Sequence, residues 1–314
     1  MQEEVGPYTF VKKRPRGEIQ WSKDGKSVEF LEGTEHYFVR NLSAGGLDDV
    51  MTTLNIPLVG ALEVVMARSP SRVSPVLQLV LRILEGWSDK HMTGIFTSRS
   101  VRELLFGYED PLLSKLSHII PGFDSKFELI SNVTYENGDL MRVMTGVDSL
   151  KNVAEMTVWK GVEKVAAWEE DEKVGGTNGM QFAPSIKEDA VDLVSNRRVW
   201  VGDLFRSIRL NAEEGIRHLK GAAYQRFVPD ESAFSPSPKY YQEYTGLMNI
   251  SSPISSGIDG ERNAAGPKLF LSLPGFCKVE DQVRETVQGV SCDPERHTIY
   301  LDVGTRGNVL YSYE

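Results

Sequence analysis

Between residues 47 and 120, a chain otherwise made of short strand-like runs gives way to apolar segments with helix punctuation. That interruption limits the folds available. Asn55-Ile56-Pro57 opens LVGALEVVM, and a proline in the first helical turn gives up no hydrogen bond. Ser74-Pro75 opens VLQLVLRIL, with Ser74 placed to cap and Gly86 to end the helix. Ser100-Val101-Arg102-Glu103 forms a capping box before LLF, closed by Gly107. Asp110-Pro111 then starts LLSKLSH, which Pro121 stops. In 76–84 only Gln78 and Arg82 are polar, and in 58–66 only Glu63 is charged, so most of each helix surface must be covered. Packing of the helices against each other accounts for much of that cover, and docking of a partner or lipid for any face left open.

On either side of the block, strands are predicted. EIQW and SVEF flank Lys23-Asp24-Gly25-Lys26, a type I′ hairpin signal, and FELISNVTY and LMRVMT flank a second at Glu136-Asn137-Gly138-Asp139. Further strands are expected at YFVR, EMTVWKG, VDLV, RRVWV, YQRFV, LFLSL and TIYLDV. Residues 175–186, GGTNGMQFAPSI, are turn-rich and lack the Lys-Ser/Thr of a phosphate loop. The acid run Glu169-Glu170-Asp171-Glu172 is predicted to be a solvated loop, because four adjacent like charges favour water. Residues 229–266 form a long Ser- and Pro-rich stretch that must be functional or tied down. The predicted class is α+β in one domain of 314 residues, the block at 47–120 inserted between strand regions 1–46 and 121–314.

Functional chemistry is sparse. The five histidines are scattered, there is no Gly-x-Ser-x-Gly elbow, and neither cysteine has the surroundings of a nucleophile. No metal site, cofactor or catalytic residue is assigned. The alternative enzyme class is a soluble β-rich hydrolase using scattered carboxylates, with bell-shaped pH behaviour. A net charge of −9 gives no footprint for nucleic acid. No apolar run spans a bilayer, which takes about 18 residues or more, and the first 20 residues are charged rather than signal-like. GPYTF falls within the first ten residues and NVLYSYE stops amid strand-like sequence, so further chain is expected at both ends. Sequons stand at Asn41, Asn132 and Asn249, which favours an extracellular or lumenal setting. Cys277 and Cys292 are too few for a disulfide framework, though the loop between them is short enough to close.

Motifs in a fixed order give the chain a family resemblance. They are EEVGPYTF (3–10), TLNIP (53–57), RELLFGYEDP (102–111), GGTNGMQFAPSI, FRSI (205–208), RFV (226–228), PKLFLSLPGF (267–276) and HTIYLDV (297–303). Together they resemble the class B scavenger receptors over nearly the whole chain. Phe106 stands for a family Trp, Phe205 for the Cys of C-R-S-I, Gly275 for the His of P-H-F, and Ala223 for the Pro of G-I-P. The usual disulfide positions are empty, and Cys277 and Cys292 match none of the family's pairs, which marks a divergent member. The resemblance implies an irregular antiparallel β-barrel topped by a helical-bundle head at 47–120. It also implies a tunnel conducting lipid, and anchorage in the plasma or lysosomal membrane through segments outside this sequence. The expected partners are lipids or fatty acids, lipoprotein or a protein cargo. The block carries eight acids against seven bases, so apolar docking suits it better than capture of polyanions. Candidate ligand-contacting residues are Leu58, Leu62, Val65, Leu77 and Leu81 on its helices. Arg142 is a candidate anchor for a fatty-acid carboxylate, and His118 a candidate sensor of lumenal acidity.

Overall fold

Two antiparallel sheets meet across an aromatic core, and together they hold most of the strand-like sequence. The computed structural model describes residues 5–68, 96–110, 113–114, 117, 126–184, 197–256, 268–305, 307 and 310–313. The first sheet runs in the order Met156–Val158, Asp139–Met144, Ser27–Glu32, Gln20–Trp21. The second has six strands. Arg197–Val201 lies at one end, followed by Arg206–Ala212, Ala222–Pro229, Leu301–Gly304 and Leu310–Tyr313, while Arg217–Leu219 pairs along Ala222–Pro229. Strands outnumber helices among the described residues, as an α+β chain of this pattern requires. The six-stranded sheet curls but does not close: its order is an open path, and the barrel expected from the resemblance is not completed by it.

Alternation along the second sheet explains how it buries both faces. Trp200 pairs with Ser207 and points to one side, whereas Val199 pairs with Ile208 and points to the other. Toward the first sheet, Trp200 joins Phe30, Met141, Met156, Trp159, Val165, Trp168 and Val174 in a buried cluster. The ring of Trp159 lies 5.6 Å from that of Trp200 and 5.0 Å, edge on, from Phe205. The Trp168 indole N–H donates to the Phe205 carbonyl at 2.9 Å. Phe205, which stands where the family motif has a cysteine, is thus held by ring packing. On the opposite face Ile208, Leu210, Phe227 and Val303 pack with Phe182, Phe234, Met248, Leu273 and Cys277.

The structure corrects four expectations. Asn137-Gly138 does not turn a hairpin. Asp139–Met144 pairs with Ser27–Glu32 instead of with the segment before it, and Gly138 has φ −77°. Its glycine is required by the close approach of the Glu32 carbonyl, which a Cβ would strike. The first hairpin does form, but only Gly25 of its turn has positive φ, so it is not the two-residue type I′ loop. The acid run is not simply solvated. Glu172 is buried, accepts from the Tyr240 hydroxyl at 3.1 Å and pairs with Lys239 at 2.5 Å, while Glu169 accepts from the Tyr241 hydroxyl at 2.7 Å. These acids clamp the turn at Pro238–Tyr240, and Phe234 and Met248 enter the core, so the described part of 229–266 is held by packing. Finally, the block at 47–120 is not helical throughout. A two-stranded ladder, Val50–Leu54 against Phe96–Ser100, frames it.

Cys277 and Cys292 form a disulfide, 15 residues apart. The expected strand VDLV lies outside the described residues.

Candidate functional site

Asn55 fixes where the block begins. It is buried, its side-chain carbonyl accepts from Leu58 N–H at 3.2 Å, and helix Ile56–Arg68 follows with Pro57 in its first turn. Glu63 of this helix accepts from Lys268 N–H at 2.9 Å, which ties the helix to the strand body. Helix Val101–Phe106 starts with the predicted capping box: Ser100 Oγ accepts from Glu103 N–H at 3.2 Å, and Glu103 Oε2 accepts from Ser100 N–H at 2.9 Å. That backbone bond holds the Glu103 carboxyl below the usual carboxylate range. Asp110 is also buried and accepts from Leu113 N–H at 3.1 Å, opening the next helical segment.

The RELLFGYEDP residues therefore work inside the fold. Besides those caps, Arg102 reaches Asp48 at 3.4 Å, and Phe106 packs edge on against Phe10 at 5.6 Å. Tyr108 is buried beneath the Arg99 guanidinium, 4.3 Å above its ring, and burial pushes its pKa up.

One face of the ladder in this block is apolar at both ends. In the ladder, Leu54 lies directly opposite Phe96, and cross-strand partners share a face with Cβ atoms about 5 Å apart. Phe96 is 65% exposed and Leu54 44%, and Ile56 and Val59, one turn apart in the helix that follows Leu54, are exposed too. Val50 extends the same ladder face at 71% exposure. Along this face the polar neighbours Thr52 and Ser98 hydrogen-bond each other through their hydroxyls at 2.8 Å, leaving no charge between the apolar groups.

The candidates from sequence fare differently. Leu58 is buried and is core; it points away from the exposed side that Val59 occupies. Leu62 is half-buried. Val65 lies in helix Ile56–Arg68, but its side chain, like Leu77, Leu81 and His118 altogether, falls outside the described residues. Arg142 sits on strand Asp139–Met144, bonded to Glu29 at 2.6 Å and Glu163 at 3.1 Å, so a ligand carboxylate would have to displace one of them. Asn41 and Asn132 are exposed, and Asn132 accepts from His36 N–H at 2.9 Å through Oδ1, leaving its amide nitrogen outward. Asn249 differs: its amide nitrogen donates to the Tyr241 carbonyl at 2.9 Å and its Oδ1 accepts from Ser251 N–H. Among the described carboxylates, Asp139 is the one whose pKa burial raises, and it faces Lys160 at 3.9 Å rather than a second acid. No group of His, Cys, Asp and Glu among the described residues is arranged to hold a metal ion.

Sequence reasoning missed Leu54, Phe96, Ile56 and Val59. The alternation in VMTTL was the available signal, but its partner strand begins more than 40 residues later.

The sequence model of the CD36 family matches residues 2–309. Lysosome membrane protein 2 of Mus musculus is 25% identical over 320 residues, covering 98% of this chain and 61% of its own length. Scavenger receptor class B member 1 of Sus scrofa is 27% identical over 306 residues, covering 96% of this chain and 56% of its own. The chain thus spans about three-fifths of the curated relatives it matches. No helix among the described residues is long and apolar enough to cross a membrane.

Proposed function

The chain belongs to the CD36 family, and on that premise we propose that it is ectodomain sequence of a membrane-anchored receptor. In this proposal residues 47–120 form the head that docks lipid, lipoprotein or a protein cargo through apolar contact. The strand body continues, with further chain, into a closed barrel enclosing a lipid tunnel. The observation that carries the proposal is the uncharged face of Leu54, Phe96, Ile56 and Val59 on a block whose charges nearly cancel. Apolar surface left open at a block edge is the recognition chemistry expected of a lipid or apolar-cargo receptor. An ectodomain facing the cell exterior or the lysosomal lumen would carry glycans at Asn41 and Asn132. Asn249 would stay bare, because attachment would break its bond to Tyr241. The class is a receptor or transporter and not an enzyme.

The test is binding of the full chain to oleate, to cholesterol and to reconstituted lipoprotein particles, each compared with Phe96→Asp. Saturable binding that the variant weakens at least about tenfold is expected, since burying a carboxylate in an apolar contact costs more than 1.4 kcal/mol. Absence of binding by the wild type to all three removes the proposal.

A further inference from the structure

Arg206 is buried to 3% exposure, and its surroundings differ from those of Arg226, a half-buried arginine on the same sheet. Arg226 is satisfied by Asp302 through two bonds of 2.7 and 2.8 Å and lies over the Tyr300 ring. Among the described residues Arg206 donates to one acceptor, the Ala233 carbonyl at 3.1 Å, and its guanidinium carbon stacks 4.3 Å above the Tyr240 ring. No carboxylate of the described residues lies within ion-pair distance of it. Glu172, the nearest acid in its field, already gives Oε2 to both Lys239 and Tyr240. A guanidinium has five N–H donors. A buried cation with no carboxylate in ion-pair contact is costly, so negative charge brought beside Arg206 would stabilise it.

The space for it is present. A cavity of about 220 Å³ opens beside Arg206 and is lined also by Arg198, Ser207, Arg209, Ser232 and Tyr240. It forms because strand Arg206–Ala212 pairs with its neighbour Ala222–Pro229 only at Leu210–Ala212, so the edge at 206–209 is open. The turn at Glu231–Ala233 and the clamped Tyr240 close over that edge. Arg198 and Arg209 are exposed cross-strand partners that also line the space; Arg198 is paired with Glu155 at 3.4 Å, and Arg209 adds a positive charge to the lining. Arg206 and Arg209 thus border a space whose one lining carboxylate, Glu172, is already engaged by Lys239 and Tyr240.

We propose that this cavity is a binding site for a small oxyanion, a carboxylate or a phosphate, held by the buried Arg206. Planar forked donors suit such groups. The volume admits a head group and excludes a long acyl chain, so the ligand is a free anion or the head of a lipid whose chains lie outside. The site is independent of the apolar face of the inserted block.

The test is calorimetric titration of the full chain at fixed ionic strength with sodium phosphate, sodium acetate, oleate, and phosphatidylcholine vesicles containing phosphatidic acid. Wild type is compared with Arg206→Met, which keeps bulk and removes charge. Saturable phosphate or acetate binding that falls about tenfold or more in the variant supports a free oxyanion, as expected for loss of a charged hydrogen-bond donor. The same loss confined to oleate or the vesicles assigns the anion to a lipid head group. Equal affinities for wild type and variant, or no saturable binding of any probe, overturn the proposal. Should Arg206→Met fail to fold by circular dichroism, Arg209→Gln replaces it. A few-fold weaker affinity then supports the site and an unchanged one overturns it. Phe96→Asp leaves phosphate affinity unchanged, which separates this site from the receptor proposal.

Discussion

The core of the strand body and the edge of the inserted block use aromatic side chains in opposite ways. In the body, Trp159, Trp168, Trp200 and Phe227 are buried, and even the charged neighbours of the core, Glu172 and Arg226, are engaged in hydrogen bonds and ion pairs. In the block, Phe96 stands open on a two-stranded ladder while the caps around it, Asn55, Ser100 with Glu103, and Asp110, are fully used. The block is therefore ordered by backbone capping, which leaves its apolar surface available. The core of the body is ordered by burying apolar side chains. An aromatic residue in the first setting is disposable for folding, and one in the second is not.

Substitutions in the body should break the fold. Trp159→Ala, which removes an indole packed against Trp200 and Phe205, should destabilise by about 3–5 kcal/mol in denaturant unfolding. Cys277→Ser with Cys292→Ser opens a loop of 15 residues and should cost about 3 kcal/mol, less if the segment keeps its packing. Glu172→Ala frees Lys239 and Tyr240 and should cost about 2–3 kcal/mol, with faster proteolysis within 229–256 as its local signature.

The capping box offers a smaller, pH-dependent contrast. Ser100→Ala should cost about 1 kcal/mol. Because the Glu103 pKa is lower in the folded chain, the Glu103 contribution is complete above the ordinary carboxylate range. It is lost as pH falls through the folded value. Urea titrations of wild type and Glu103→Gln should therefore converge in acid and separate near neutrality.

Local signals in the sequence were the ones that proved legible. The openings at Asn55 and Asp110 and the capping box at Ser100 were readable because each capped N–H lies three residues on. The Glu-Asn-Gly-Asp signal failed for the opposite reason: Gly138 answers to the Glu32 carbonyl, a hundred residues earlier, and not to its own neighbours. The acid run was misjudged because Tyr240 and Tyr241, which engage Glu172 and Glu169, follow about 70 residues later. The apolar face was hidden likewise, since Leu54 and Phe96 become partners only through the ladder. Choosing Leu58 as a ligand contact assumed that an apolar helix offers its surface, whereas the cap at Asn55 turns Leu58 inward.

Surface substitutions in the block should leave stability within about 0.5 kcal/mol, so they isolate recognition from folding. The decisive measurement compares Phe96→Asp with Val147→Asp, an equally exposed apolar site on the body, in binding of the full chain to oleate. The receptor account predicts that both variants melt with the wild type, and that Phe96→Asp alone loses affinity, by about tenfold or more. Equal affinity for the two variants would contradict it.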